Sequence, residues 1–200
     1  MKKLIIAGLA LGLLAGCVST ESKSEAKDKP VQNQEGKKEE SKKEQEKKKS
    51  EGTPNEIVSY AKKIKGATFI KDIKVANNEA EILFYDSYES YQSENPKTKI
   101  AKGKYIEYFK ADATVAKILV GEPARLLKQF STLNKIKMVL PFEGKTYSIN
   151  LDRTSLNSYI GFKIEDLKSE DKSWTEKFYD PYVNTADKRA AFFAKFVIVQ

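Results

Sequence analysis

The feature that most limits what this chain can fold into is a break in composition at Gly52. From Val18 to Gly52 the only apolar residues are Val18, Ala26 and Val31, while ten lysines alternate with nine acids. Such a stretch buries too little apolar surface to offset the entropy of ordering it, so a disordered charged linker is expected. Glu39 and Lys43, at i, i+4 spacing, support transient helix, and no apolar heptad exists to drive a coiled coil. As a flexible coil these 35 residues span roughly 30–35 Å on average. A packed core must therefore come from residues 53–200. Those 148 residues suffice for one domain burying roughly two-thirds of its surface, and no second linker divides them.

Within 53–200 the apolar pattern switches between helix and strand periods. Thr53-Pro54-Asn55-Glu56 has the order of a capping box with proline in the first turn. Ile57, Ala61 and Ile64 then share a face, and Gly66 is suited to a left-handed stop. Phe69, Ile73 and Val75 share a parity, and Asn77-Asn78 offers a turn. Ala80 to Tyr85 returns apolar on both parities, which predicts a hairpin whose second strand is central and covered on both faces. Asp86 to Pro96 reads as a polar connection studded with tyrosines.

Helix is predicted over 101–110, and again from an Asp112 cap through Val115, Ile118 and Leu119. Gly121 and Pro123 interrupt that second helix, with Pro123 either kinking it or opening a new one as far as Phe130. The clearest signal is the second hairpin. Ile136, Met138, Leu140 and Phe142 lie on one parity, Glu143-Gly144-Lys145 turns, and Tyr147, Ile149 and Leu151 lie on one parity again. Pro141 places the end of its first strand at an edge or bulge. Asp152 is placed to cap a short helix that Gly161 ends. Ser173-Trp174-Thr175-Glu176 spells a second capping box, for a helix broken at Asp180-Pro181. A last helix is expected from Thr185, with Ala186, Ala190, Phe193 and Val197 on one face. Phe196-Val197-Ile198-Val199 by itself reads as strand, so both readings stand for the segment 190–200.

Hairpins with intervening helices predict an α+β fold: one domain over 53–200, with two β-hairpins forming a small antiparallel sheet packed by several helices. The hairpins share Ile73-Lys74-Val75 and Ile136-Lys137-Met138. Either a duplicated ββα unit or common hairpin grammar produces that likeness.

Ahead of the linker, Met1-Lys2-Lys3 is a short positive start and Leu4 to Ala15 is apolar throughout. Twelve residues are too few for a hydrocarbon core that needs about 20, so the order reads as a secretory signal peptide rather than a span. Leu14-Ala15-Gly16-Cys17 closes it and resembles the lipobox of bacterial lipoproteins. The resemblance covers the first 17 residues. It implies that a diacylglyceryl group is attached to the Cys17 sulfur and that residues 1–16 are removed. It also implies that the protein is held on the outer face of the cell membrane by that cysteine, followed by the linker to residue 52. Two acyl chains hold a protein on a bilayer far better than one, at about 0.8 kcal/mol per buried CH₂.

Charge and residue types narrow the chemistry. Residues 53–200 carry 24 lysines and arginines against 19 acids, a mildly basic domain. An exported chain without a basic stripe is not expected to bind nucleic acid. Anionic wall polymers or phospholipid head groups remain compatible partners, as does a surface protein. The chain has no histidine, which removes Ser-His-Asp triads, cysteine–histidine pairs and histidine-bound zinc. Its one cysteine is, as the lipobox resemblance implies, committed to lipid, and no glycine-rich phosphate loop or oxygen-dense calcium loop occurs. No cofactor or metal is expected.

The remaining catalytic route is a carboxylate pair, as in glycoside hydrolysis, with Asp86, Glu89 and Glu94 as the acids among tyrosines. Ser155 and Ser158 with Lys163 as a Ser–Lys dyad are weaker candidates, because Ser155 falls on the solvent side of its helix. The favoured expectation is a non-catalytic binding module of the envelope, with Tyr85, Asp86, Tyr88, Glu89 and Tyr91 as its partner-binding residues. Tyrosine suits such a role because its ring is buried while its hydroxyl finds a partner. The competing expectation for Tyr85 and Tyr88 is that they roof the sheet. The alternative function is a carboxylate glycosidase acting on wall glycan; a transporter's substrate-binding protein is disfavoured because 148 residues leave no room for two lobes.

Overall fold

The computed structural model describes residues 52–200. The segments expected to be signal peptide and linker, with Cys17 between them, lie outside the described residues. The domain is α+β, with one five-stranded sheet in the order β1-β2-β3-β4-β5. The first helix, α1 (Pro54–Ala61), starts as the sequence predicts: Thr53 and Glu56 exchange the two bonds of a capping box. Ile57, Ala61 and Ile64 are buried. Strands β1 (Ile70–Ala76) and β2 (Glu79–Phe84) pair antiparallel around Asn77 and Asn78. Both asparagines have positive φ, 51° and 61°, which a twist-matched two-residue hairpin turn requires.

The chain then leaves the sheet through three helices, α2 (Tyr88–Glu94), α3 (Lys102–Lys110) and α4 (Thr114–Gln129). It returns as β3 (Lys135–Phe142) and β4 (Lys145–Asp152), joined by Glu143 and Gly144. The hairpins themselves are antiparallel, but β2 and β3 pair parallel. The expectation of an antiparallel sheet therefore fails at that one junction. A hairpin must reverse direction, whereas a helical crossover brings the next strand back in the same sense.

Rows run in register across the strands. Ile73, Ile82, Met138, Ile149 and Val197 form one row on the helix-covered face. Asp72, Leu83, Val139, Ser148 and Ile198 form a row on the other. On that second face Lys135–Glu79 and Lys137–Glu81 pair at 2.7 Å each. β2 is thus interior, but helices cover only one of its faces. Leu83, which suggested cover on both, is half-buried beside Val139. Pro141 sits in central β3 where β2 has already ended. It faces Thr146, whose backbone bonds Gln200 on the far side, so the ladder loses no donor to the proline.

Further expectations are corrected along the chain. α4 runs unbroken through Gly121 and Pro123, because packing against β3, β4 and the later helices outweighs local propensity. The side chain of Asp112 lies outside the described residues, and Ala113 holds the cap position with φ 51°. After α5 (Arg153–Ile160), capped by Asp152 and closed by Gly161, comes an eleven-residue π-helix, Trp174–Asn184. Ser173 does not cap it; its hydroxyl instead accepts from the Lys168 N–H at 2.8 Å. Nor does Pro181 break it, since the wider winding relieves the clash with the i−4 carbonyl that an α-helix imposes. Trp174, Phe178 and Tyr182 stack along it, with ring centroids 5.0 and 5.3 Å apart. The last helix, α6 (Ala186–Phe196), buries Phe192 rather than the expected Ala186, Ala190 and Phe193 face. Val197–Val199 then forms β5, antiparallel to β4, which decides between the two readings of that segment.

Candidate functional site

The tyrosine segment is a scaffold. Tyr85, Tyr88 and Tyr91 are 7%, 9% and 4% exposed. Ser87 caps α2 by accepting from the Ser90 N–H, which puts Tyr88 and Tyr91 on the inward side of the helix. Tyr91 and Tyr105 meet the Phe69 ring edge-on at 5.1 and 5.0 Å. Each hydroxyl is used within the chain. Tyr85 donates to Glu94 at 3.1 Å, Tyr88 to the Ile100 carbonyl at 2.8 Å, and Tyr91 shares a bond with Thr98 at 2.9 Å. Thr98 in turn accepts from the Ile100 N–H at 3.2 Å. The segment 95–100 is therefore pinned from behind by tyrosine hydroxyls, and burial raises the Tyr85 pKa.

The carboxylates of this stretch point outward. Asp86 and Glu89 are exposed. Glu89 pairs with Lys102, whose hydrogen bond holds the carboxyl below its usual range. Glu94 pairs with Lys71 at 3.5 Å. Ser155, Ser158 and Lys163 are all exposed. Among the described residues no group of three or more acids could hold a metal ion, and no helix is long and apolar enough to cross a membrane.

Ile100, at the end of that segment, lines an open groove of about 470 Å³. Lys62 and Lys63, just past α1, form one rim, and Lys104 of α3 the other. Ile64, Ala67, Phe69, Ile100 and Tyr108 line it between them. The turn at Gly66 needs glycine twice over: its φ is 84°, and a Cβ there would lie 2.9 Å from Ile118. A second depression of about 340 Å³ lies alongside, lined in part by Tyr60, Glu56 and Phe130. Lys63 lines both.

Behind the groove is a buried carboxyl group that sequence reasoning missed. Glu122 of α4 is 2% exposed. Burial pushes its pKa up, opposed by the Arg125 charge and by the Lys65 backbone N–H that donates to it. Arg125 lies 3.1 Å away in an ion contact without hydrogen-bond alignment. Its guanidinium also sits 5.9 Å from the ring centroids of both Trp174 and Tyr179. The signal was present: Glu122 lies four residues after Ile118, on the apolar stripe of α4. Its bond to Lys65 fixes the turn that lines the groove. In comparison with known proteins, the chain matches no family model, and no curated protein or solved structure matches it either.

Proposed function

We propose that this chain is a non-catalytic binding module of the bacterial envelope, held on the outer face of the membrane through lipidated Cys17. Its ligand face is the lysine-rimmed groove. One observation carries this reading: the groove wall at Ile100 is ordered in advance by buried, hydrogen-bonded tyrosines, so a ligand meets a rigid surface. Tyr88 serves the partner by holding Ile100 in that wall, Tyr85 and Tyr91 brace the segment that leads to it, and Asp86 and Glu89 stay exposed on the same stretch. The sequence order of signal peptide, Cys17 and charged linker supports the address, and the linker lifts the domain from the bilayer.

Purified wall material incubated with the detergent-solubilised protein tests the reading. Retention on the wall without new reducing ends is expected. Release of reducing ends would instead favour the carboxylate glycosidase. For the anchor, Cys17→Ala should abolish lipid labelling and move the protein out of the detergent phase; unchanged partitioning and mass would overturn it.

A further inference from the structure

Resting on the reading of the groove as the ligand face, we infer that its ligand is a linear anionic glycopolymer of the envelope, lying across Lys63 with one stretch in each depression. Charge supplies the first argument. No acid lines the larger groove, whereas Lys62, Lys63 and Lys104 stand exposed on its rim. Lys104 also holds Glu107 at 2.8 Å, and an ammonium has further donors to offer. The one acid in the second depression, Glu56, is turned onto Thr53 in the capping box.

Shape supplies the second argument. A small anion is held by convergent donors in a closed pocket. Here two open depressions share a single lysine, which suits an extended chain with repeated charges. The surfaces between the charges are apolar and aromatic. Tyr108 and Ile100 line one depression, and Tyr60 lies edge-on to Phe130 at 5.4 Å in the other. Sugar rings present flat C–H faces to such surfaces while their acidic groups reach the rim.

The test titrates the detergent-solubilised full chain with a fluorescent oligogalacturonate, its neutral methyl ester, and micelles doped with phosphatidylglycerol as competitor. The acidic oligomer should bind at least about tenfold more tightly than the ester. Lys62→Gln, Lys63→Gln and Lys104→Gln should each weaken it roughly two- to fivefold at unchanged melting temperature, since all three are exposed. Lys195→Gln, on exposed α6 surface, should change nothing. Equal binding of the ester, equal loss at Lys195, or full displacement by the doped micelles would overturn the inference. Wall retention indifferent to the three lysines would sink it and leave the module reading standing; loss of wall retention altogether would sink both.

Discussion

Leu140 and Ile149 are almost wholly buried under the helices, and Ser148 lies on the opposite face of the same strand as Ile149. Leu140→Ala and Ile149→Ala should each cost about 2–4 kcal/mol, and Ser148→Ala little, as read from denaturant melts. Reversed sensitivity would place the register one residue out. Glu122 makes a pH prediction. Its folded-state pKa is raised above the ordinary 4.5, chiefly by burial. Its contribution to stability is therefore full below that value and lost as pH rises through the folded-state value. Glu122→Gln should remove that loss, so the stabilities of wild type and variant should diverge as pH rises from 4.5 and not below it. A difference that grows as pH falls would contradict the assignment. The hairpin residues were legible because strand burial repeats every second residue; for Glu122 the local signals were its place on the apolar stripe and Arg125 three residues on, but the Lys65 backbone that bonds it arrives only with the fold.

At the scale of elements, α2 is the one whose role most exceeds its sequence signal. Its tyrosines and serines read as a polar connection, and only the Ser87 cap and inward packing make it a helix. Tyr88→Phe removes the bond to Ile100 and should cost about 1 kcal/mol. Tyr88→Ala also empties a core position and should cost about 3–5 kcal/mol. Thermal melts of the two variants check this, and equal losses would mean that the ring contributes nothing beyond its hydroxyl. Both hairpins, α1 and α5 were legible, since caps and period-2 patterns are local. The helix from Trp174 was legible only as far as Asp180; its π winding and its run through Pro181 were not, since proline reads locally as a break. Nor was the parallel β2–β3 junction, because strand direction is set by a crossover of some fifty residues rather than by either strand.

At the scale of the whole molecule, the described domain begins at Gly52. That glycine is buried beneath Phe130, where a Cβ would lie 2.2 Å from the ring, so the core begins where the charged composition stops. Trypsin should cut within 18–51 and leave 52–200 as a stable core; protection of the linker lysines in mass spectra would contradict an unpacked linker. The groove lies on the domain, and its walls come from two stretches distant in sequence, 62–69 and 100–108, which no local motif unites. Backbone hydrogen exchange of the full chain, with and without wall fragments, tests the groove as the binding face. Protection confined to 62–69, 100–108 and the neighbouring turn of α1 is the expected result. Protection centred elsewhere, or none despite retention on the wall, would contradict the groove as the binding face.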